Sequence, residues 1–317
     1  EMCIRDRSWG AGNSIQISLS ENSNSYDYAL FGLDFGKLRY KYFHGFLESD
    51  TLGHNRYIVS KGLEYSNLKS LIFSLSEIII YSGLNRPFDF AYLNPISSHL
   101  EIEFNNRQNS IGTKSGNAIW QLSLDWMINQ NLRFSGNLVI DEIVLDESEK
   151  VLGKNHRTAN SLKISNNIYS EGKINIISYF SFIQVGSLAF RHGDGNNNFI
   201  NRNKPLGWKH GSDGYEKKIG VNCLNKHKYI ISLEFGVRYS GENNIIYYPY
   251  ETYSEYQFSN FPSGDVSKIS FINSSLIWKV KSYLNIVSSI EYKKNSPNFK
   301  DYNIILGLDL GLPIKIL

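Results

Sequence analysis

Nowhere in the 317 residues is there a run of 18 or so apolar residues, so no membrane-crossing helix is expected. The richest stretch, Leu71 to Tyr81, is broken by Ser74, Ser76 and Glu77. Cysteine is nearly absent: Cys3 and Cys223 are the two, too few for a disulfide framework. Cys223 lies in register with Ile219 and Val221, which makes it an apolar strand residue. An excess of one charge is also missing, with 33 Lys and Arg against 30 Asp and Glu and no basic cluster, so nucleic acid is not an expected partner. No segment carries a helical apolar stripe. The seven histidines make no metal-ligand spacing and no G-x-S-x-G elbow occurs, so no metal or cofactor is expected and the histidines are read as structural or loop residues, with a Ser/His hydrolase as the minority reading.

What is present is alternation. Trp120 to Trp126 reads WQLSLDW, apolar on one side and polar on the other. The rhythm recurs at Tyr229, Ile231, Leu233, Phe235, Val237 and Tyr239, and again at Tyr302, Ile304, Leu306, Leu308, Leu310 and Leu312. Successive side chains of a strand point to opposite faces, so these are strands with one apolar and one polar face. Aromatics make up 14% of the chain and sit at strand ends: Tyr57, Tyr81, Trp120, Trp126, Tyr169, Tyr229, Tyr239, Tyr292 and Tyr302. An apolar strip flanked by aromatics is the lipid face of an outer-membrane barrel, whose apolar band is about 25 Å tall. The mean hydropathy of −0.31 fits, because a barrel strand turns only every second residue to lipid.

About fifteen strands are expected: Ser14–Ser20, Tyr26–Phe35, Lys37–His44, Arg56–Ser66, Lys69–Ile79, His99–Glu103, Asn117–Trp126, Asn131–Ile140, Ser161–Tyr169, Lys173–Gln184, Lys217–Cys223, Lys228–Tyr239, Ser267–Trp278, Ser282–Tyr292 and Tyr302–Leu312. Tight turns (Gly36, Asn129 to Asn131, Gly172, Asn225 to His227) alternate with long polar connections at 85–98, 105–116, 141–160, 191–216 and 240–266. Short turns at one end and long loops at the other is the outer-membrane layout. The fold class is therefore all-β, an antiparallel transmembrane β-barrel of the outer-membrane type with about 15–18 strands. A soluble β-sandwich also alternates, but strands of ten to twelve residues exceed the usual five or six.

The start of the chain, EMCIRDR, back-translates to the transposon-end adapter of sequencing libraries, so residues 1–7 are read as translated adapter and 8–317 as one barrel domain. A native N-terminal part would then be missing, the barrel could close incompletely, and a leader could not be judged.

Two loops hold the candidate site. Arg86–Pro95 (RPFDFAYLNP) is too aromatic for a solvated loop, and Phe88, Phe90 and Tyr92 are expected in the barrel mouth or lumen. Arg191–Tyr215 is rich in Gly and Asn. Its Asp194, Asn196 and Asn198 have the alternate spacing of a calcium loop, but Phe199 and Pro205 stand where glycine and glutamate would be needed. It reads instead as a loop whose Asn, Asp and Arg side chains hydrogen-bond sugar hydroxyls while Trp208 or Tyr215 stacks on a sugar face. Glu77, Glu101, Glu103, Asp141 and Glu142 are further candidate acids for a wet lumen.

The segment SEIIIYSGLNRPFDFAYLNP, Ser76 to Pro95, resembles the Glu, Tyr, Arg, Tyr-Leu-Asn-Pro pattern of the capsule assembly Wzi family. LVIDE at 138–142 resembles that family's acidic strand end, and HG…KPLGW…GSDG within 191–214 a later block of it. The similarity runs from about Arg56 to Tyr250. It implies a bacterial outer-membrane barrel that binds or anchors capsular or other surface polysaccharide as a lectin rather than an enzyme. The Asn- and Ile-rich composition suits a Bacteroidetes-like branch. The family barrel has more strands and follows a periplasmic segment, and this chain ends on Leu317 rather than on an aromatic. The residues expected to meet polysaccharide are Arg86, Tyr92, Asn94, Asp141, Arg191, His192, Trp208 and Asp213, with outer-membrane lipid as the other partner. The alternative functions are a channel for small solutes and a surface adhesion or motility component.

Overall fold

The computed structural model describes residues 9–109, 116–142, 157–225, 228–256, 260–281, 284–295 and 299–310; the adapter-like residues 1–7 and the C-terminal Leu317 lie outside them. Thirteen strands form one antiparallel sheet in strict sequence order, each joined to the next by hairpin pairing. These are β1 (Asp27–Asp34), β2 (Leu38–Ser49), β3 (His54–Ser66), β4 (Leu71–Leu84), β5 (Gly116–Met127), β6 (Leu132–Glu142), β7 (Arg157–Glu171), β8 (Ile174–Val185), β11 (Gly214–Asn225), β12 (Tyr229–Ser240), β13 (Ser267–Lys281), β14 (Leu284–Asn295) and β15 (Phe299–Leu310). A two-stranded hairpin, β9 (Ile200–Asn201) with β10 (Lys204–Pro205), stands apart between β8 and β11. Among the described residues the curved wall does not close, because β1 pairs only with β2 and β15 only with β14. The long connections leave the sheet at one end, and the shortest turns, such as those at Gly36 and Gly172, lie at the other.

Alternation places the outer face. Along β12, Tyr229, Ile231, Leu233, Phe235, Val237 and Tyr239 share one face, in rows with Trp278, Leu276 and Ile272 of β13. Ten steps of about 3.4 Å on a strand tilted by about 40° rise about 26 Å, the height of a barrel's apolar band. Trp126, Tyr229 and Trp278 mark its short-turn border, while Tyr239, Tyr292 and Tyr302 mark the loop-side border.

Two expected strands are something else. Ser14–Ser20 does not join the wall. It runs through the lumen, and its nearest approach to sheet pairing is one bridge between Trp9 and Leu19. Its backbone is held by lumenal side chains instead: Asn137 donates to the Ile15 carbonyl at 3.2 Å, as does Ser161 at 2.7 Å. His99–Glu103 is part of a helix, α1 (His99–Phe104). Ser98 caps it, accepting the Glu101 N–H at 3.2 Å. The S-x-x-E signature of a capping box was present at Ser98 and Glu101, and it outweighs the strand-like alternation of the next five residues.

The lumen is therefore not simply wet. On the loop side its wall is apolar (Phe43, Ile58, Ile78, Ile80, Ile119, Val139, Ile183), and Ile15, Ile17, Leu19, Phe199, Leu206 and Trp208 of the plugging segments pack against it. Toward the short turns it is polar, with Gln16, Ser123, Asp125, Arg133, Ser135 and Lys163 around a cavity of about 700 Å³.

Candidate functional site

Two layers are built on the loop end of β2–β5, one on each face of the wall. Ile78 and Ile80 face the lumenal plug, whereas Ile79 and Tyr81 face outward into a second cluster with Tyr42, Tyr57, Val59, Tyr92 and Ile102. A wall covered on both sides needs apolar residues at every position, which accounts for the unbroken Ile78-Ile79-Ile80-Tyr81 run.

The outer cover is the segment after β4, through Arg86–Asn109. This corrects the expected placement of Phe88, Phe90 and Tyr92: they lie on the outside of the wall, not in the mouth or lumen. Phe88 stacks on His44 with ring centroids 4.1 Å apart, and Tyr92 stacks on Tyr81 at 4.6 Å. The loop-side lumen beneath them is occupied by the plug. Arg86 is fully buried, donates to the Ser82 carbonyl at 2.9 Å, pairs with Asp89 at 3.2 Å and lies over the Tyr81 ring. The Tyr92 hydroxyl meets His99 Nδ1 at 2.9 Å and accepts from Gln108 at 2.8 Å. Asn94 is half-buried and shapes its own turn, accepting the Ile96 N–H at 3.0 Å and donating to Ser97 at 2.8 Å. Glu77, Glu101 and Glu103 are likewise outside the lumen: Glu77 is on the outer face of β4 and the other two are on α1. The Glu142 side chain lies outside the described residues.

The other five candidates gather at the loop end, where they tie three segments together. Asp141, at the end of β6, accepts the Phe190 N–H at 2.9 Å. Arg191 reaches into the 241–266 loop and donates to the carbonyls of Tyr248 (2.8 Å), Glu251 (3.1 Å) and Asn243 (3.1 Å). Burial lowers its guanidinium to about 10, so it stays charged at neutral pH. His192 accepts the Asp194 N–H at 3.0 Å, and burial, then the nearby Arg157 charge, holds it below the usual histidine value. Asp213 has a left-handed backbone (φ 55°) and is fully buried. It accepts from Ser187 Oγ (2.6 Å), the Ser263 N–H (2.9 Å), Ser263 Oγ and the Asn243 N–H (3.1 Å). Trp208 is buried in the plug, and its backbone N–H donates to the Ile17 carbonyl at 3.2 Å. The eight residues thus form two groups, one on each side of the wall.

The calcium-like spacing is spent on local structure. Asp194 caps a 3-10 turn through the Asn196 N–H at 3.0 Å, and Asn198 bridges His192 to the Pro249 and Glu251 carbonyls. Among the described residues no three His, Cys, Asp or Glu side chains converge as metal ligands.

The exposed part of this end is a tyrosine-rich rim that the sequence reading passed over. Tyr247 (65% exposed), Tyr248 and Tyr250 project from the 241–266 loop. Glu48, at the top of β2, draws the rim together, accepting from the Tyr250 hydroxyl at 3.0 Å, from the Arg202 N–H at 3.2 Å and from Arg56. Arg56, fully buried, lies beneath the Tyr250 ring at 5.4 Å. Beside it the β9–β10 hairpin exposes Arg202, Asn203 and Lys204. The signal was the cluster YYPYETYSEY, Tyr247 to Tyr256, too dense in tyrosine for an ordinary polar loop.

A solved structure with a similar wall matches 96% of the chain. It is Wzi, an outer-membrane protein involved in group 1 capsule assembly in Escherichia coli and described as a carbohydrate-binding β-barrel. The TM-score is 0.69 at 12% identity, over 96% of this chain and 66% of that one. The chain has the Wzi barrel fold. It spans about two thirds of Wzi's length. Two further likenesses are weaker. The CymD monoaromatic hydrocarbon channel has a TM-score of 0.37 at 8% identity, over 89% of this chain and 81% of that one. The ferric enterobactin receptor PfeA of Pseudomonas aeruginosa has 0.38 at 9%, over 90% and 42%. No protein-family model and no curated protein matches the sequence. The Wzi-like wall, with its aromatic-bordered apolar outer face, is that of an outer-membrane β-barrel.

Proposed function

We propose that this barrel is a non-catalytic binder of surface polysaccharide, with the tyrosine rim as its contact surface. The observation that carries the reading is the pairing of exposed flat rings (Tyr247, Tyr248, Tyr250) with exposed hydrogen-bonding groups (Arg202, Asn203, Lys204) on loops that buried side chains hold rigid. Rings stack on sugar faces, polar groups meet hydroxyls, and a repeating polymer sums many weak contacts by avidity. In this reading Asp141, Arg191, His192, Trp208 and Asp213 serve polysaccharide binding by fixing the loops, and Arg86, Tyr92 and Asn94 by fixing the outer cover. The plug speaks against a solute channel, because Ile15, Ile17, Leu19 and Trp208 occupy the loop-side lumen. A role in capsule assembly, as for Wzi, is the finer part of the proposal.

The test is glycan-array binding by the full chain refolded in detergent, alongside planar-bilayer conductance. Binding to an acidic or neutral polysaccharide, weakened about fivefold by Tyr247→Ala (about 1 kcal/mol for one stacking ring), supports the reading. Absence of any glycan binding together with steady conductance would transfer it to the channel.

A further inference from the structure

The outer cover does more than hide tyrosines. Lys61 of β3 and Glu77 of β4 are neighbours on the outer face of the wall, paired at 3.2 Å and both buried. Counting ten residues up from the short-turn border at Tyr65 and Phe73 reaches Asn55 and Gly83. The ion pair therefore sits inside the height that lipid covers elsewhere on the barrel. A bare lysine on the lipid face costs about 2–4 kcal/mol at the bilayer midplane. Here the cover satisfies the pair: the Ser97 carbonyl accepts from Lys61, and the His99 N–H donates to Glu77 at 3.0 Å, as does the Trp120 indole at 3.0 Å.

The cover's own outer surface is apolar. Phe90 (78% exposed), Ile96 (90%) and Phe104 (80%) stand out, with Leu93 and Leu100 between them. This crest continues onto the exposed lipid-facing residues below it, Leu63, Leu75 and Trp120. Its charges are few and paired, as in Arg107 with Glu101 at 2.9 Å.

We infer that residues 86–109 form a membrane-embedded cover, whose crest at Phe90, Leu93, Ile96, Leu100 and Phe104 inserts among the acyl chains of the leaflet on the long-loop side. The barrel thereby presents two layers to lipid on this flank and one elsewhere. The cover also gives β2–β5 an outer support that keeps the Lys61–Glu77 pair dry.

The test uses the full chain with C3S and C223S and a single new cysteine, Ile96→Cys or Phe104→Cys, labelled with an environment-sensitive NBD dye and reconstituted into phospholipid vesicles. Leu52→Cys, at the exposed tip between β2 and β3, is the water-facing reference. The expected result is blue-shifted emission at 96 and 104, strongly quenched by lipids carrying a doxyl group on the acyl chain and little by iodide, with the reverse at 52. Iodide quenching at 96 and 104 equal to that at 52 would overturn the inference. So would protection from both quenchers together with disulfide cross-linking between copies in the unlabelled Ile96→Cys or Phe104→Cys protein, which would assign the crest to a second copy of the chain.

Discussion

The crossing of the plug at Gly207 gives the sharpest test of the architecture. A Cβ on Gly207 would lie 1.8 Å from the Ile17 carbonyl oxygen and 2.5 Å from its carbon, and both are backbone atoms. Reaching even 3.0 Å requires the two segments to part by 1.2 Å, the difference between 3.0 and 1.8. Three hydrogen bonds close this crossing: Ser20 N–H to Leu206 O (2.9 Å), Trp208 N–H to Ile17 O (3.2 Å) and Ser20 Oγ to Gly207 O (2.5 Å). A buried hydrogen bond contributes about 1 kcal/mol net and leaving its groups unmade costs about 1–3, so Gly207→Ala should weaken plug docking by about 3–5 kcal/mol. At 1.4 kcal/mol per decade, amide exchange at Ile17 to Ser20 and at Trp208 should accelerate by about two orders of magnitude or more. Hydrogen exchange by mass spectrometry on detergent-refolded protein reads this directly, and iodide access to the plug tryptophans reports the same opening. Gly307→Ala is the matched control, because nothing lies within 4 Å of its added Cβ. Unchanged exchange in Gly207→Ala would refute the placement of residues 9–26 inside the lumen.

Asp213→Ala removes the acceptor of Ser187, Ser263 and Asn243 groups, and should cost about 3–5 kcal/mol of docking between the two long loops, seen as proteolytic nicking between residues 241 and 266 while the barrel still resists unheated SDS. His192 and His210 are both held below the ordinary histidine value, first by burial and then by Arg157 and Arg238 respectively. Released loops would bind the extra protons below about pH 6.5, so loop docking should weaken as pH falls through that value, by up to about 1.4 kcal/mol per unit for each histidine. Protease sensitivity of the loops should therefore rise between pH 7 and pH 5, and a flat profile would count against neutral, half-buried imidazoles. Gly195→Ala places a Cβ 1.7 Å from the Tyr250 carbonyl oxygen and should displace the tyrosine rim, reducing glycan binding about tenfold with an unchanged barrel melt.

Thirteen of the wall strands were legible because period-2 alternation is written residue by residue, and the outward faces of β12 to β15 follow directly from it. Ser14–Ser20 alternates equally well, yet it runs inside the lumen, because alternation reports an extended chain and not its hydrogen-bonding partner. Ile78 to Tyr81 carried a legible clue, an alternation that stops, but sequence could not say which layer met which side. The candidate residues were recognisable as conspicuous polar and aromatic side chains. Their burial was not, since Arg191 and Asp213 find their partners 26 to 60 residues away.

What the sequence determined by itself is the antiparallel membrane wall, its apolar height and the end at which long loops emerge, all of which depend on local spacing. What only the tertiary structure decided is where the non-wall segments go: residues 9–26 and the apolar side chains of 186–213 into the lumen, with the β9–β10 tip exposed at the rim, and residues 86–109 onto the outer face. Those placements rest on contacts between segments far apart in the chain, such as Ile17 with Trp208 and Lys61 with Ser97, and the loop-side lumen is taken by the plug while the second aromatic segment packs on the outside.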